Sequence, residues 1–236
     1  MSRRLTLALV PVLALVLAAS CAGQTRPGGP STARTAVDEG PTPQRTATAA
    51  PSPGATGASV APARRLNRRF PVRGNTSYSR AHHDYPAADI FAGCGSRVVA
   101  PVRGTILEFG RRDRYRPRRD NPALRGGRFV SMRGADGVRY YGSHLRSVAS
   151  HMRKGKRVRV GQLLGRVGQS GNARGVGCHL HFGISPVCAR TGDWWVRRGA
   201  VRPYRFLRAW ERGRDRSPKA AVRRWRAQHG CPSRPR

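Results

Sequence analysis

The pentapeptide Cys178-His179-Leu180-His181-Phe182 decides the fold expected for this chain. Alternate side chains of a β-strand point to opposite faces, so His179 and His181 would share one face, about 6–7 Å apart. Leu180 and Phe182 would point to the other face, into a core. A buried imidazole needs hydrogen-bond partners or a metal ion. The segment therefore predicts a strand with an apolar face and a chemically active face.

Five of the seven histidines fall in three short clusters. His82 and His83 precede Asp89, His144 stands alone in the middle of the chain, and the strand described above carries the third cluster. Imidazole and carboxylate are usual ligands of a catalytic zinc ion, which takes three protein ligands and leaves one position for water. The clusters supply such a set in His83, Asp89 and His181, with His144 and His179 left over beside it.

The N-terminus has the pattern of a targeting segment. Arg3 and Arg4 precede an apolar run that ends in small residues just before Cys21. This pattern predicts a signal peptide over residues 1–21. A cysteine at this place also fits a lipoprotein signal, in which Cys21 would carry a lipid; simple secretion is the alternative. Residues 22–65 are rich in Pro, Thr, Ala and Gly, which predicts a disordered tether.

Four further cysteines follow the tether. An exported chain meets an oxidising compartment, where an even number of cysteines permits disulfides. Three connectivities are possible for two bonds. We expect Cys94–Cys178 beside the histidine strand and Cys188–Cys231 in the C-terminal tail.

The formal net charge of +35 is extreme, and lysine contributes only Lys154, Lys156 and Lys219. Such a chain suits anionic partners, and for an exported protein these are first of all anionic wall polymers. The arginines are scattered, and no recognised nucleic-acid-binding motif is present, so we expect no nucleic-acid partner. We expect a monomer that meets a membrane only through a lipid on Cys21.

Short strands with glycine punctuation dominate residues 66–190. Helical patterns occur only in residues 191–236, which we expect to form a basic C-terminal extension. Residues 111–127 are rich in Arg, Gly and Pro and predict a loop that lines a groove. The fold class expected is mainly β, a compact antiparallel sheet or barrel-like domain followed by a short helical extension.

In this order along the chain, the motifs resemble the lysostaphin/LytM-type zinc metallopeptidases, which cut peptide bonds in bacterial peptidoglycan. The family pattern is a His and an Asp close together, then Tyr-x-His-Leu, then His-x-His. The corresponding pieces lie within roughly residues 75–188: His83…Asp89, Tyr141-Gly142-Ser143-His144-Leu145, which has one residue more between Tyr and His, and His179-Leu180-His181.

The resemblance implies the duplicated hybrid motif fold of that family and a zinc site made of His83, Asp89 and His181. It also implies that His144 and His179 are catalytic. One departure concerns the first ligand, because the commonest family spacing is His-x-x-x-Asp and Tyr85 stands in that position here. His83 is the expected ligand, with His82 as the alternative.

The function implied is that of an exported zinc metalloendopeptidase that hydrolyses peptide cross-links of peptidoglycan. We expect His179 to position or deprotonate the attacking water and His144 to donate a hydrogen bond to the oxyanion. The two roles are exchangeable at this level. The alternative function is a catalytically inactive wall-binding relative that activates another wall hydrolase.

Overall fold

The computed structural model describes residues 67–188 and 192–235, so the predicted signal peptide and tether lie outside the described residues. The described part contains ten short strands: β1 (Thr76–Ser77), β2 (Ala87–Ala92), β3 (Arg97–Val99), β4 (Gly104–Gly110), β5 (Phe129–Gly134), β6 (Val138–Ser143), β7 (Ser147–Val148), β8 (Arg157–Val158), β9 (Leu163–Arg166) and β10 (His179–Pro186). Its three α-helices all follow β10: α1 (Trp194–Arg197), α2 (Tyr204–Glu211) and α3 (Lys219–His229). Single 3₁₀ turns occur at Pro117–Arg119, Pro122–Leu124 and Gly171–Ala173.

The strands form two antiparallel sheets. Seven strands make the larger sheet in the order β1-β2-β10-β6-β5-β4-β8, and the smaller sheet has the order β3-β9-β7. Neighbouring strands in both sheets pair antiparallel. The prediction of a mainly β, antiparallel fold with a short helical extension is confirmed.

Strand β10 lies inside the larger sheet and is buried along its whole length. Leu180, Phe182 and Ile184 point into the apolar core, as the alternation of the sequence predicts. The opposite face of the strand carries His179 and His181, which are also buried. Both faces of β10 are therefore covered, and the histidine face is covered by groups that come from elsewhere in the chain.

The strand register brings the histidine face together with two other clusters. His181 pairs with Asp89 on one side, across β2, and with Ser143 on the other side, across β6. Residues directly opposite in an antiparallel pair lie on the same face of the sheet. His144 follows immediately after the end of β6, next to this row. The register alone thus gathers three distant segments at one point of the sheet.

The C-terminal extension packs on the sheet. Phe206, Leu207 and Trp210 of α2 are buried in the same core as the strands, and the Trp210 ring lies 6.3 Å from that of Phe182. Burial of three large apolar side chains stabilises the fold by several kcal/mol, at about 1.5–3 kcal/mol each. The extension is therefore part of the core, although its sequence is strongly basic.

Two disulfide bonds join distant parts of the described region. Cys94 is bonded to Cys178 and Cys188 to Cys231. This is the pairing expected from the sequence, and the expectation is confirmed. No helix within the described ranges has the length and apolarity needed to cross a membrane.

Candidate active site

Three side chains could together hold a metal ion. Ligand atoms of His82, Asp89 and His181 all lie within 4.8 Å of one another. His181 Nδ1 is 2.8 Å from Asp89 Oδ1, and His82 Nε2 is 3.7 Å from Asp89 Oδ2. The set consists of two imidazoles and one carboxylate, which are ordinary ligands of a catalytic zinc site.

The first ligand differs from the one expected. The structure places His82 beside Asp89, with its side chain only 6% exposed, whereas the side chain of His83 is 73% exposed. The neighbour that His83 Nδ1 approaches is Asp84, at 4.0 Å. The segment before β2 is irregular, so strand alternation does not decide which of the two histidines points inward. The Tyr85 ring, 4.5 Å from that of His82, packs on the inward-facing side.

Both ring nitrogens of His181 face hydrogen-bond acceptors. Its Nε2 lies 2.9 Å from the carbonyl oxygen of Arg198, which can only accept, so Nε2 carries the hydrogen. A neutral ring then presents a lone pair on Nδ1 to the carboxylate oxygen of Asp89. Two acceptors at this distance require a second ring proton or a cation between them. The backbone contact on the far nitrogen is also the usual way to orient a metal-binding histidine.

The protonation states of the neighbouring groups agree with a cation site. Burial raises the pKa of Asp89, but the hydrogen bond from His181 and the nearby imidazoles outweigh it and lower the pKa to about 2. Burial and the charge of His181 lower the pKa of His82. The buried Nδ1 of His82 has no hydrogen-bond partner among the described residues. An ionised carboxylate and a neutral imidazole are the forms that bind a metal.

His144 is held in an unusual backbone conformation, with φ at +62°. Its ring Nδ1 donates a hydrogen bond to the carbonyl of Ser170 at 2.8 Å, and its backbone N–H donates to Gly126 at 3.0 Å. Burial, together with the charge of His181, lowers the pKa of His144 to about 3. The ring is therefore neutral near pH 7, and its remaining nitrogen, Nε2, is an acceptor.

His179 shows the same tautomer. Its Nδ1 lies 2.9 Å from the carbonyl oxygen of Gly177, so this nitrogen donates. The rings of His179 and His144 are 4.9 Å apart, and that of His144 is 5.9 Å from His181. The structure thus brings together four of the five predicted site residues, Asp89, His144, His179 and His181, and replaces the fifth, His83, by His82.

The segment after residue 192 closes one side of this cluster. Arg198 supplies the carbonyl that binds His181, and this backbone approaches β10 so closely that a Cβ on Gly183 would lie 2.3 Å from the Arg198 oxygen. Arg139 and Asp193 form a buried double ion pair, 2.6 and 2.9 Å, that fixes the start of α1 to β6. A segment predicted as an extension is thus needed to complete the site.

A cleft of about 320 Å³ contains all of these histidines. The loop over residues 111–127 contributes Ala123, Arg125 and Gly126 to its wall, as predicted for a groove-lining loop. Among the residues that line the cleft, sequence reasoning missed Tyr85, Phe91 and Arg198. Tyr85 stood next to a recognised motif. The other two had no chemical pattern around them, and only the tertiary packing identifies them.

Part of the chain is similar in sequence to known proteins. Residues 83–192 match the model of Peptidase family M23. The chain is 30% identical over 157 residues to an L-Ala–D-Glu endopeptidase of Bacillus subtilis (strain 168), which covers 61% of this chain and 43% of that protein. The chain therefore spans less than half the length of that relative.

The solved structures that resemble the chain include the following two. The first is of a candidate glycyl-glycine endopeptidase, lytM, from Ruminococcus gnavus ATCC 29149, with 24% identity, a TM-score of 0.47 and coverage of 63% of both chains. The second is the catalytic domain of lysostaphin from Staphylococcus simulans, with 23% identity, a TM-score of 0.41 and coverage of 57% of this chain and 90% of that one. Residues 83–192 are therefore similar to the peptidase M23 domain, and the chain is similar to the curated endopeptidase over part of that protein's length.

Proposed function

We propose that this protein is a zinc metalloendopeptidase that hydrolyses peptide cross-links in bacterial peptidoglycan. The observation that carries the proposal is the cleft itself, in which the candidate ligands His82, Asp89 and His181 lie beside two further buried histidines. The match of residues 83–192 to a peptidase family and the similarity to an endopeptidase support the substrate class.

Zinc is the metal that fits best, since the donors are two imidazole nitrogens and one carboxylate, and zinc sites of this kind keep a position open for water. When bound, zinc polarises a carbonyl and lowers the pKa of its bound water to about 7. His181 is oriented for this purpose by the Arg198 carbonyl. The single carboxylate of Asp89 lowers the net charge of the site.

His144 and His179 are proposed to handle the protons. Each donates Nδ1–H to a backbone carbonyl, which leaves Nε2 as the acceptor of the neutral ring. The hydrogen bond expected from His144 to an oxyanion does not fit this tautomer, because the low pKa of His144 leaves Nε2 without a proton. We assign to His179 the acceptance of a proton from the attacking water, and to His144, whose free nitrogen accepts a hydrogen bond, the positioning of that water. The proton then passes to the amine that leaves.

The hydroxyl of Tyr85 is assigned the donor role. Burial raises the pKa of Tyr85, so its hydroxyl keeps its proton at neutral pH. It lies in the cleft, 3.5 Å from His181 Nε2. A neutral donor in a partly desolvated cleft can stabilise the negative charge that develops on the carbonyl oxygen of the substrate.

The proposed location is the cell envelope, outside the cytoplasm. Two disulfides and a wall substrate both favour an extracellular protein. Cleavage of the predicted signal peptide and a lipid on Cys21 remain predictions, which mass spectrometry of the mature N-terminus tests.

Retention on anionic wall polymers is proposed as a second property. A separate surface depression, away from the histidines, is lined by four exposed arginines that make no ion pair within the described ranges: Arg103, Arg133, Arg157 and Arg159. Unpaired guanidinium groups bind phosphate and carboxylate readily. Replacing the four by glutamine should weaken binding to wall polymers while peptide hydrolysis in solution stays unchanged. Equal binding by both proteins contradicts this property.

The experiment that tests the proposed function measures zinc content and the release of new amino groups from purified peptidoglycan. About one zinc per chain and chelator-sensitive release support the endopeptidase. Zinc without release, together with stimulation of another wall hydrolase, supports the inactive relative instead. A protein that holds no zinc and releases no amino groups contradicts the proposed function.

A further inference from the structure

One cation in the cleft has no carboxylate partner. Three arginines line the cleft, and two of them are paired: Arg125 with Asp120 and Arg197 with Glu108. Arg198 makes no ion pair within the described part of the chain, and its Nε is buried without a hydrogen-bond partner. A half-buried guanidinium with unused donors is costly unless a ligand completes its hydrogen bonds.

The guanidinium of Arg198 is held in place by aromatic rings. Its central carbon lies 3.9 Å from the centre of the Tyr85 ring and 5.1 Å from that of Trp194. Both rings belong to the cleft wall. Stacking on two rings limits the motion of a long side chain, so that less entropy is lost when it binds an anion.

The position of Arg198 relative to the candidate metal ligands is fixed by its own backbone. The carbonyl of the same residue accepts the hydrogen bond from His181 Nε2 at 2.9 Å. The charged group therefore lies within one side-chain length of the point where a substrate bond would be cut. The nearby acids do not neutralise it, because Asp89 belongs to the candidate ligand set and Asp84 is 74% exposed and faces His83.

The two ends of the cleft differ in chemistry. At the His179 end, the exposed Phe91 packs 5.2 Å from the imidazole, and Val176 is also exposed. At the His181 end lies the cationic group of Arg198. A substrate that matches both ends has a small apolar residue on one side of the cut bond and a negative charge on the other.

We propose that Arg198 is a specificity-determining residue, which binds a free carboxylate of the peptide next to the bond that is cut. This inference rests on the proposed function and adds the substrate class: acidic peptides, whose carboxylate is not amidated. The contact is a charge-assisted hydrogen bond, and the backbone role of Arg198 at His181 is separate from it.

The test uses the purified full-length chain and a digest of peptidoglycan whose cut bond is located by mass spectrometry. Two synthetic peptides then contain that bond, one with the nearest carboxyl free and one with it amidated. The wild type should prefer the free carboxylate by about tenfold or more in kcat/KM. Arg198→Gln should reduce this preference to about twofold or less, and Arg198→Lys should keep part of it.

Arg202→Gln is the matched control, since Arg202 is an exposed arginine of the same segment outside the cleft. It should leave the preference unchanged. Zinc content equal to wild type shows that Arg198→Gln keeps the site intact. The inference is overturned if Arg198→Gln slows both peptides equally, or if the cut bond has no carboxylate within one residue. Absence of any hydrolysis by the wild type instead contradicts the proposed function.

Discussion

His82 Nε2 lies 3.7 Å from Asp89 Oδ2, while the next residue, His83, points its ring into solvent. Two adjacent histidines of identical chemistry thus have opposite environments. The difference allows a sharp test of the ligand assignment.

We expect His82→Ala to lower the affinity for zinc by at least about tenfold, because the substitution removes a direct ligand. Even residues that only hold the ligands in place change metal affinity by about 10–100-fold. His83→Ala, the matched control, should bind zinc like the wild type. The measurement is the zinc content of both purified variants after dialysis against a weak chelator. Loss of zinc in His83→Ala alone would restore the assignment expected from the sequence.

His144→Ala and His179→Ala are expected to separate metal binding from hydrolysis. Each should lower kcat by at least about a hundredfold, since proton transfer by a positioned group contributes that much. Zinc content should stay close to wild type because neither residue belongs to the candidate ligand set. His151→Ala, at a half-buried histidine next to Gln162, is the control and should retain activity. Zinc loss in His144→Ala would show that this residue is a ligand.

Asp113 lies in the loop over residues 111–127, part of which lines the cleft. Burial raises its pKa, but the backbone N–H of Gly171 and the guanidinium of Arg174 outweigh burial and lower the pKa below its ordinary value of 3.8. We expect Asp113→Asn to reduce the free energy of unfolding at pH 7 by about 1 kcal/mol, the usual contribution of such a bond.

The sign of the pH dependence follows from the lowered pKa. The contribution of Asp113 is fully present above pH 3.8 and is lost as pH falls through the folded-state pKa. Denaturation curves of wild type and Asp113→Asn should therefore differ at pH 7 and converge in strong acid. Asp84→Asn, at an exposed carboxylate, should match the wild type at both values. A difference that persists in acid would mean that the charge of Asp113 is not involved.

The two disulfides are expected to have unequal effects on activity. They close segments of 84 and 43 residues, so each stabilises the fold by about 4–5 kcal/mol in the chain-entropy account. Serine at both Cys94 and Cys178 should also reduce the activity of the folded fraction, since Cys178 directly precedes His179. Serine at Cys188 and Cys231 should mainly lower the melting temperature. Thermal unfolding and activity of the two variants, measured side by side, check this; equal specific activities would contradict it.

The sequence predicted the parts of the site that lie on regular strands. Alternation along β10 correctly placed Leu180 in the core and His181 on the opposite face, because a strand allows only two directions. The histidine before β2 that points toward Asp89 is His82 rather than the expected His83, because an irregular segment has no such rule. The backbone conformation of His144 could not be predicted either. Its φ of +62° goes with hydrogen bonds to Gly126 and Ser170 rather than with a local sequence preference.

The role of the C-terminal segment could not be predicted from its composition. Its arginines indicated a basic extension, and this composition does not reveal that Asp193 of the segment is paired in the interior with Arg139 of β6. Arg198 acts on His181 through its carbonyl, an atom that every residue has and that no motif marks. Contacts of this kind depend on which segments meet in the folded chain.

The backbone contact between Arg198 and His181 has a consequence for the newly made protein. Asp89 and His181 are 92 residues apart, and the carbonyl that orients His181 lies a further 17 residues along the chain. A ribosome releases the N-terminal part first, so all earlier lengths of nascent chain lack a complete cleft. In a cell that makes this protein, the candidate site is therefore complete only after synthesis has passed residue 198.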